Sequence, residues 1–230
     1  LHADAAYGGY FGLVDNLSPQ TRRTYDLLGQ VDSLVMDPHK HGLQPYGCGC
    51  VLFRDPTVGR FYKHDSPYTY FSSKDLHLGE ISLECSRPGA AAVGLWATQR
   101  LLPLVRGGEF ARMLACGRTA ALTLHDRLCG DRRFVTAFPP DLDIVVWAIR
   151  ATRVSESSKL ARRVFEEAAR RQLHLALANL PVEFFDLRAC SMEQDAGTLT
   201  CLRSVLMKPE HKDWLDRIWA ILREAADAAI

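Results

Sequence analysis

The sequence predicts a mixed α/β chain in two units, and three features of it lead there. Two short apolar runs, Leu34-Val35-Met36 and Cys50-Val51-Leu52-Phe53, read as strands set among stretches of helical character. From about residue 133 the order strand, helix, strand, strand, helix describes a compact α+β unit, with helices on one face of a small sheet. Composition changes at 129–134, which divides the chain into 1–131 and 132–230.

Taken in order, residues 1–9 read as a strand end, with Asp4 among alanines just before Gly8-Gly9. Such a carboxylate either caps a turn or helix or faces a cation in a low-dielectric site. Residues 10–16 and 20–29 suit short helices and loops. Ser18-Pro19 is a helix start, because Ser caps and Pro fits the first helical position. The next strand ends in Asp37-Pro38 and delivers His39 and Lys40 into a predicted loop, 41–50, between two strands expected to be buried. Lysine is strongly hydrated and uncommon in such a place. Spacing alone leaves two readings: an exposed lysine after a turn-forming Pro, or a desolvated amine able to attack a carbonyl.

Residues 61–74 mix aromatic and polar side chains with neither period, as in an exposed loop whose aromatics anchor packing or close over a ligand. Residues 79–85 alternate and break at Ser86-Arg87-Pro88-Gly89. Residues 90–105 then read as a buried helix that Pro103 ends or kinks. Gly107-Gly108 separates it from a helix over 109–128 with Phe110, Leu114, Leu122 and Leu128 at helical spacing. In the second unit a strand is predicted at 143–149 and an amphipathic helix at 155–171. Strands follow at 173–178 and 198–206, and a closing helix at 214–229.

Apolar residues make up 47% and charged residues 24%, as in ordinary globular proteins. Net charge is +1 with no basic block, so nucleic acid is not an expected partner. No apolar run nears the ~18 residues that span a bilayer, so no membrane partner is expected either. Seven cysteines in apolar or helical contexts suggest reduced thiols and a cytoplasmic location. Cys48-Gly49-Cys50 near His39 and His41 is poorly spaced for zinc, and no metal is expected. Neither glycine pair forms a dinucleotide or phosphate loop. The chain opens on Leu, inside what reads as a strand end, and is expected to be the C-terminal part of a longer polypeptide.

Three motifs in this order and spacing carry a resemblance. They are His2-Ala3-Asp4-Ala5-Ala6-Tyr7-Gly8-Gly9, then Asp32-Ser33 followed by Asp37-Pro38-His39-Lys40, and Ser86-Arg87-Pro88-Gly89-Ala90. Together they resemble the pyridoxal-phosphate-dependent group II amino-acid decarboxylases: the aromatic amino acid, glutamate, tyrosine and diaminobutyrate enzymes. The resemblance runs through essentially the whole chain but covers only about the second half of a family member.

It implies the α/β architecture of fold-type I pyridoxal-phosphate enzymes. Residues 1–131 would be the C-terminal part of the large cofactor domain, and residues 132–230 an α+β small domain. The implied cofactor is pyridoxal 5'-phosphate, held as a Schiff base on Lys40, with Asp4 paired to the ring nitrogen. Ala6 would pack near the ring, Ser33 contact the phosphate and His39 lie beside the lysine. Ser86 and Arg87 would reach the neighbouring subunit's cofactor phosphate. Tyr68 or Tyr70 would be the loop tyrosine that donates a proton to the substrate carbon. Arg203 would meet the substrate carboxylate, and an Arg inside an apolar strand run agrees with a buried anion partner.

The implied reaction converts an L-amino acid to its amine and carbon dioxide in a homodimer with shared active sites. The isolated 230 residues are expected to be inactive. Other readings are a carbon–carbon lyase or oxidative deaminase on the same cofactor, and a non-catalytic dimerisation subunit.

Overall fold

The computed structural model describes residues 1–63 and 89–230, which form two compact units, Leu1–Ala111 and Arg112–Ile230. The division falls inside a long helix, upstream of the composition change at 129–134.

In the first unit, β1 (His2–Asp4), β2 (Ser33–Met36) and β3 (Cys50–Phe53) form a sheet in that order. β1 and β2 are parallel, with Asp4 opposite Val35. β3 is antiparallel to β2, with Met36 opposite Cys50. α1 (Pro19–Asp26) begins as predicted: Ser18 Oγ accepts from Thr21 N at 3.1 Å, and Pro19 opens the helix. The helix is tied to the preceding segment by Tyr25 Oη donating to Gly8 O at 2.7 Å and Arg22 Nη1 donating to Gly12 O at 2.7 Å. Tyr10, Phe11 and Val14 are buried beneath it.

Two expectations about burial are corrected. Residues 89–101 do form a helix, α3 (Gly89–Leu101), and it stops before Pro103. It buries no side chain, however, and Val93 is 66% and Trp96 63% exposed. A helix apolar all round signals a need for cover, and among the described residues that cover is missing. The strands flanking Lys40 are likewise not buried: β2 is partly covered, and Val51 to Phe53 of β3 are exposed.

In the second unit, β4 (Phe134–Thr136), β5 (Ile144–Ile149), β6 (Ala176–Pro181) and β7 (Thr198–Val205) make an antiparallel sheet in the order β4-β5-β7-β6. Successive residues of β5 point to opposite faces, and both faces are covered, so the strand reads as one apolar run. Val145, Trp147 and Ile149 pack with Leu202 against α4 (Glu109–Gly130), α5 (Val154–Arg170) and α6 (Leu215–Ala229). Val146 and Ala148 pack with Val182, Phe185, Met192 and Leu199 on the other face. At Gly117 of α4 a Cβ would lie 2.6 Å from the carbonyl oxygen of Leu206, so only glycine permits this approach of helix to strand end.

Trp147 is the keystone of the first face. It is fully buried, edge-on to Phe134, and its indole Nε1 donates to Ser204 Oγ at 3.0 Å. Trp147→Ala is expected to destabilise this unit by about 3–5 kcal/mol, through lost contacts and an orphaned hydroxyl. Urea unfolding followed by far-UV circular dichroism checks this, and an unchanged midpoint would refute it.

Among the described residues no helix is long and apolar enough to cross a membrane. The six described cysteines are free thiols.

Candidate functional site

The site begins where the two parallel strands end. After Asp4 the chain stays bound to the end of β2: Ala5 N donates to Val35 O, and Asp37 N donates to Ala6 O, both at 3.1 Å. These bonds bring the Asp4-Ala5-Ala6 turn and the Asp37-Pro38-His39-Lys40 segment to one edge of the sheet, at the carboxyl ends of neighbouring parallel strands. Open α/β sheets place ligands at that edge.

Lys40 does not sit in a loop. It lies in α2 (Pro38–His41), a single turn with Pro38 at its start and Asp37 in the cap position. Lys40 Nζ is 2.8 Å from Asp37 Oδ2, and the lysine side chain is 34% exposed against 17% for the aspartate. The amine is therefore accessible and already paired with an anion. The lysine is thus half-buried and ion-paired, between the exposed and the desolvated readings.

His39 is fixed by the segment that follows the turn. Its backbone N donates to Cys48 O at 3.1 Å, and its ring Nδ1 lies 2.7 Å from the same oxygen. A carbonyl only accepts, which assigns the proton to Nδ1 and turns Nε2 toward Asp37 Oδ2 at 3.7 Å. Beneath the turn, His41 is 3% exposed, with Nδ1 2.5 Å from Tyr7 O and its ring edge-on to Tyr7 and Phe11. Tyr10 is also buried there, and burial, with Cys50 and Cys48 adding to it, pushes its hydroxyl up to about 12. A Cβ at Gly42 would lie 2.7 Å from the Tyr10 hydroxyl and 2.6 Å from Pro38 Cα, so glycine lets the turn seat on this floor. Burial also raises the Cys48 and Cys50 thiols. Among the described residues no group of three His, Cys, Asp or Glu side chains is placed to hold a metal.

Asp4 had two readings, a turn or cap residue and a carboxylate facing a cation in a low-dielectric site, and it is exposed. Its Oδ1 accepts from Ala6 N at 3.1 Å, the turn role open to an Asp before a Gly pair. That bond fixes the carboxylate on the turn at the end of β1. Ala6 lies in the same turn. Ser33 is not brought to this edge. It starts β2, opposite His2 and Phe53, bonds His2 Nδ1 through Oγ at 2.7 Å, and lines a separate cleft of about 230 Å³ with Leu28 and Arg54.

Arg203 lies in the second unit on β7, opposite Val146 and Ala176, and it is exposed. Among the described residues it has no buried anion partner. Strand alternation places Arg203 on the face of Leu199 and Cys201, beyond the residues that cover them. Tyr68, Tyr70, Ser86 and Arg87 lie outside the described residues.

Sequence reasoning overlooked Asp37 and His41. The signal for Asp37 was available, since an Asp immediately before a helix-opening Pro is a cap residue in contact range of the next turn. Nothing in the spacing marked His41 as buried.

Comparison with known proteins returns one family model, the pyridoxal-dependent decarboxylase conserved domain, matched over residues 1–149. An L-tyrosine decarboxylase of Enterococcus faecium is 24% identical, over 95% of this chain and 45% of its own length. A probable L-tyrosine/L-aspartate decarboxylase of Methanococcus maripaludis is 32% identical, over 63% of this chain and 36% of its own. The chain thus spans less than half the length of these relatives.

Among solved structures, Oryza sativa TDC with PLP and tryptamine superposes with a TM-score of 0.76 at 19% identity, covering 99% of this chain and 44% of that one. Catharanthus roseus tryptophan decarboxylase in complex with L-tryptophan gives 0.73 at 18%, covering 100% and 44%. Rhodiola rosea 4-hydroxyphenylacetaldehyde synthase gives 0.72 at 19%, covering 99% and 43%. These likenesses establish the α/β fold.

Proposed function

The chain belongs to the pyridoxal-dependent decarboxylase family, and from that premise we propose that it carries the lysine-bearing part of a pyridoxal-phosphate-dependent amino-acid decarboxylase. The observation behind this reading is that the segments bearing Asp4 and Lys40 lie at the carboxyl ends of two parallel, hydrogen-bonded strands. An accessible amine and an oriented carboxylate on one sheet edge fit a cofactor with an aldehyde at one end and a basic ring nitrogen at the other.

Lys40 would hold the aldehyde carbon and Asp4 the protonated ring nitrogen, with Ala6 leaving room for the ring. When bound, pyridoxal phosphate supplies an electron sink for the pair left on the α-carbon as carbon dioxide departs. Asp4 keeps a negative charge facing the ring nitrogen and so favours its protonated form. Lys40, once displaced by substrate, holds a proton at its Nζ. Tyr68 or Tyr70 would donate a proton at the α-carbon. Ser86 and Arg87 would reach the cofactor phosphate of a second copy, which makes the working form a homodimer in the cytoplasm. Ser33 and Arg203 have the weaker case, since one lies at the far end of β2 and the other is exposed in the second unit.

The test is carbon dioxide release by the complete polypeptide, supplied with cofactor and with tyrosine, tryptophan, aspartate or glutamate in turn. Release with an equal yield of amine is expected from at least one of them, and absence of carbon dioxide from all four sinks the reading. The relatives' names favour tyrosine or aspartate as the first substrates to try. The synthase among the fold neighbours keeps a second reading in view, decarboxylation coupled to oxidative deamination, in which dioxygen takes the electrons and carbon dioxide and ammonia leave an aldehyde. Aldehyde in place of amine among the products would select it.

A further inference from the structure

We propose that Asp37 is the positioning residue for Lys40, holding its amine at the sheet edge and restraining its reaction while the pair is closed. The proposal deepens the reading above and rests on it only for the identity of the carbonyl that Lys40 attacks.

Asp37 occupies the cap position of α2, where an Asp side chain ordinarily accepts from an amide of the first turn. It makes no such bond. Its Oδ2 instead meets Lys40 Nζ at 2.8 Å and faces His39 Nε2 at 3.7 Å. A cap that forgoes its backbone bond for a side-chain amine is placed for the amine.

The aspartate is itself well anchored. Its N donates to Ala6 O at 3.1 Å, and its carbonyl accepts from Lys40 N at 2.9 Å. Its own backbone thus ties the Asp4–Ala6 turn to the lysine turn. The carboxylate is also mostly covered, so the pair is screened less than one on the open surface.

An ammonium has no lone pair and cannot attack a carbonyl. The contact between Asp37 Oδ2 and Lys40 Nζ must therefore open before the amine can react. Asp37 keeps the resting lysine oriented and holds back its attack on a carbonyl until the pair opens.

The test needs no turnover. The complete polypeptide, freed of cofactor, is treated with trace acetic anhydride near neutral pH, and each lysine is read by mass spectrometry. Asp37→Asn keeps the shape and the backbone bonds but removes the charge. It is expected to speed acetylation of Lys40 about two- to fivefold, the range for a partly exposed ion pair. Lys159 and Lys212, in the second unit, should keep their rates. Asp37→Glu restores the charge and should return Lys40 toward the original rate.

Equal labelling of Lys40 with Asp or Asn at 37 would overturn the proposal, as would equal acceleration by Asn and Glu, which marks a structural disturbance alone. Borohydride trapping of cofactor on Lys40 tests the attachment separately. A failure there, with the labelling contrast intact, removes the cofactor reading and leaves the Asp37–Lys40 pairing standing.

Discussion

Lys40→Ala in the complete polypeptide is expected to eliminate the absorbance near ~420 nm that a lysine-bound pyridoxal phosphate gives, and to lower turnover by at least about 10³-fold. The residue emerges from a one-turn helix with its amine accessible, so Ala removes the nucleophile while leaving Pro38 and the His39–Cys48 bonds in place. Equal thermal stability before and after the change is therefore expected. Retention of the band in the Ala variant would place the covalent link on another lysine and sink the assignment.

Asp4→Asn should have the next largest effect, a loss of about 10²-fold or more in turnover, because it withdraws a fixed charge from where the ring nitrogen must stay protonated. Asn still offers Oδ1 to Ala6 N, so the turn survives and the change isolates charge from shape. Weaker retention of cofactor through dialysis should accompany it. Turnover unchanged from the parent protein would mean that Asp4 serves only the turn, the role its hydrogen bond already gives it.

How much of this could be read from sequence depended on whether the controlling physics was local. The start of α1 was legible because Ser18 and Pro19 act within one turn. β5 was legible because burial on both faces writes an unbroken apolar run, Ile144 to Ile149. The order of elements in the second unit followed from such local signals. β6 was placed too early, since Gln172 turns through φ 63° after α5 and the strand begins only at Ala176. Its Pro181 is tolerated because β6 is an edge strand.

Asp4 and Lys40 stood out in the sequence because each sits in a local motif, although the roles given to them came from the resemblance. Ser33 and Arg203 were different, because strand register and face decide what they meet, and neither is written in their immediate surroundings. The ion pair of Asp37 depends on a rotamer that forgoes capping, and spacing alone does not foretell such a choice.

Among the described residues β3 is the last strand of its sheet, with Val51, Leu52 and Phe53 exposed, and α3 presents Val93 and Trp96 in the same unit. An uncovered strand edge beside large apolar side chains is an adhesive template. Produced alone, these 230 residues should therefore self-associate and bind a hydrophobic dye, and charged replacements on β3 should improve their solubility without touching the lysine turn.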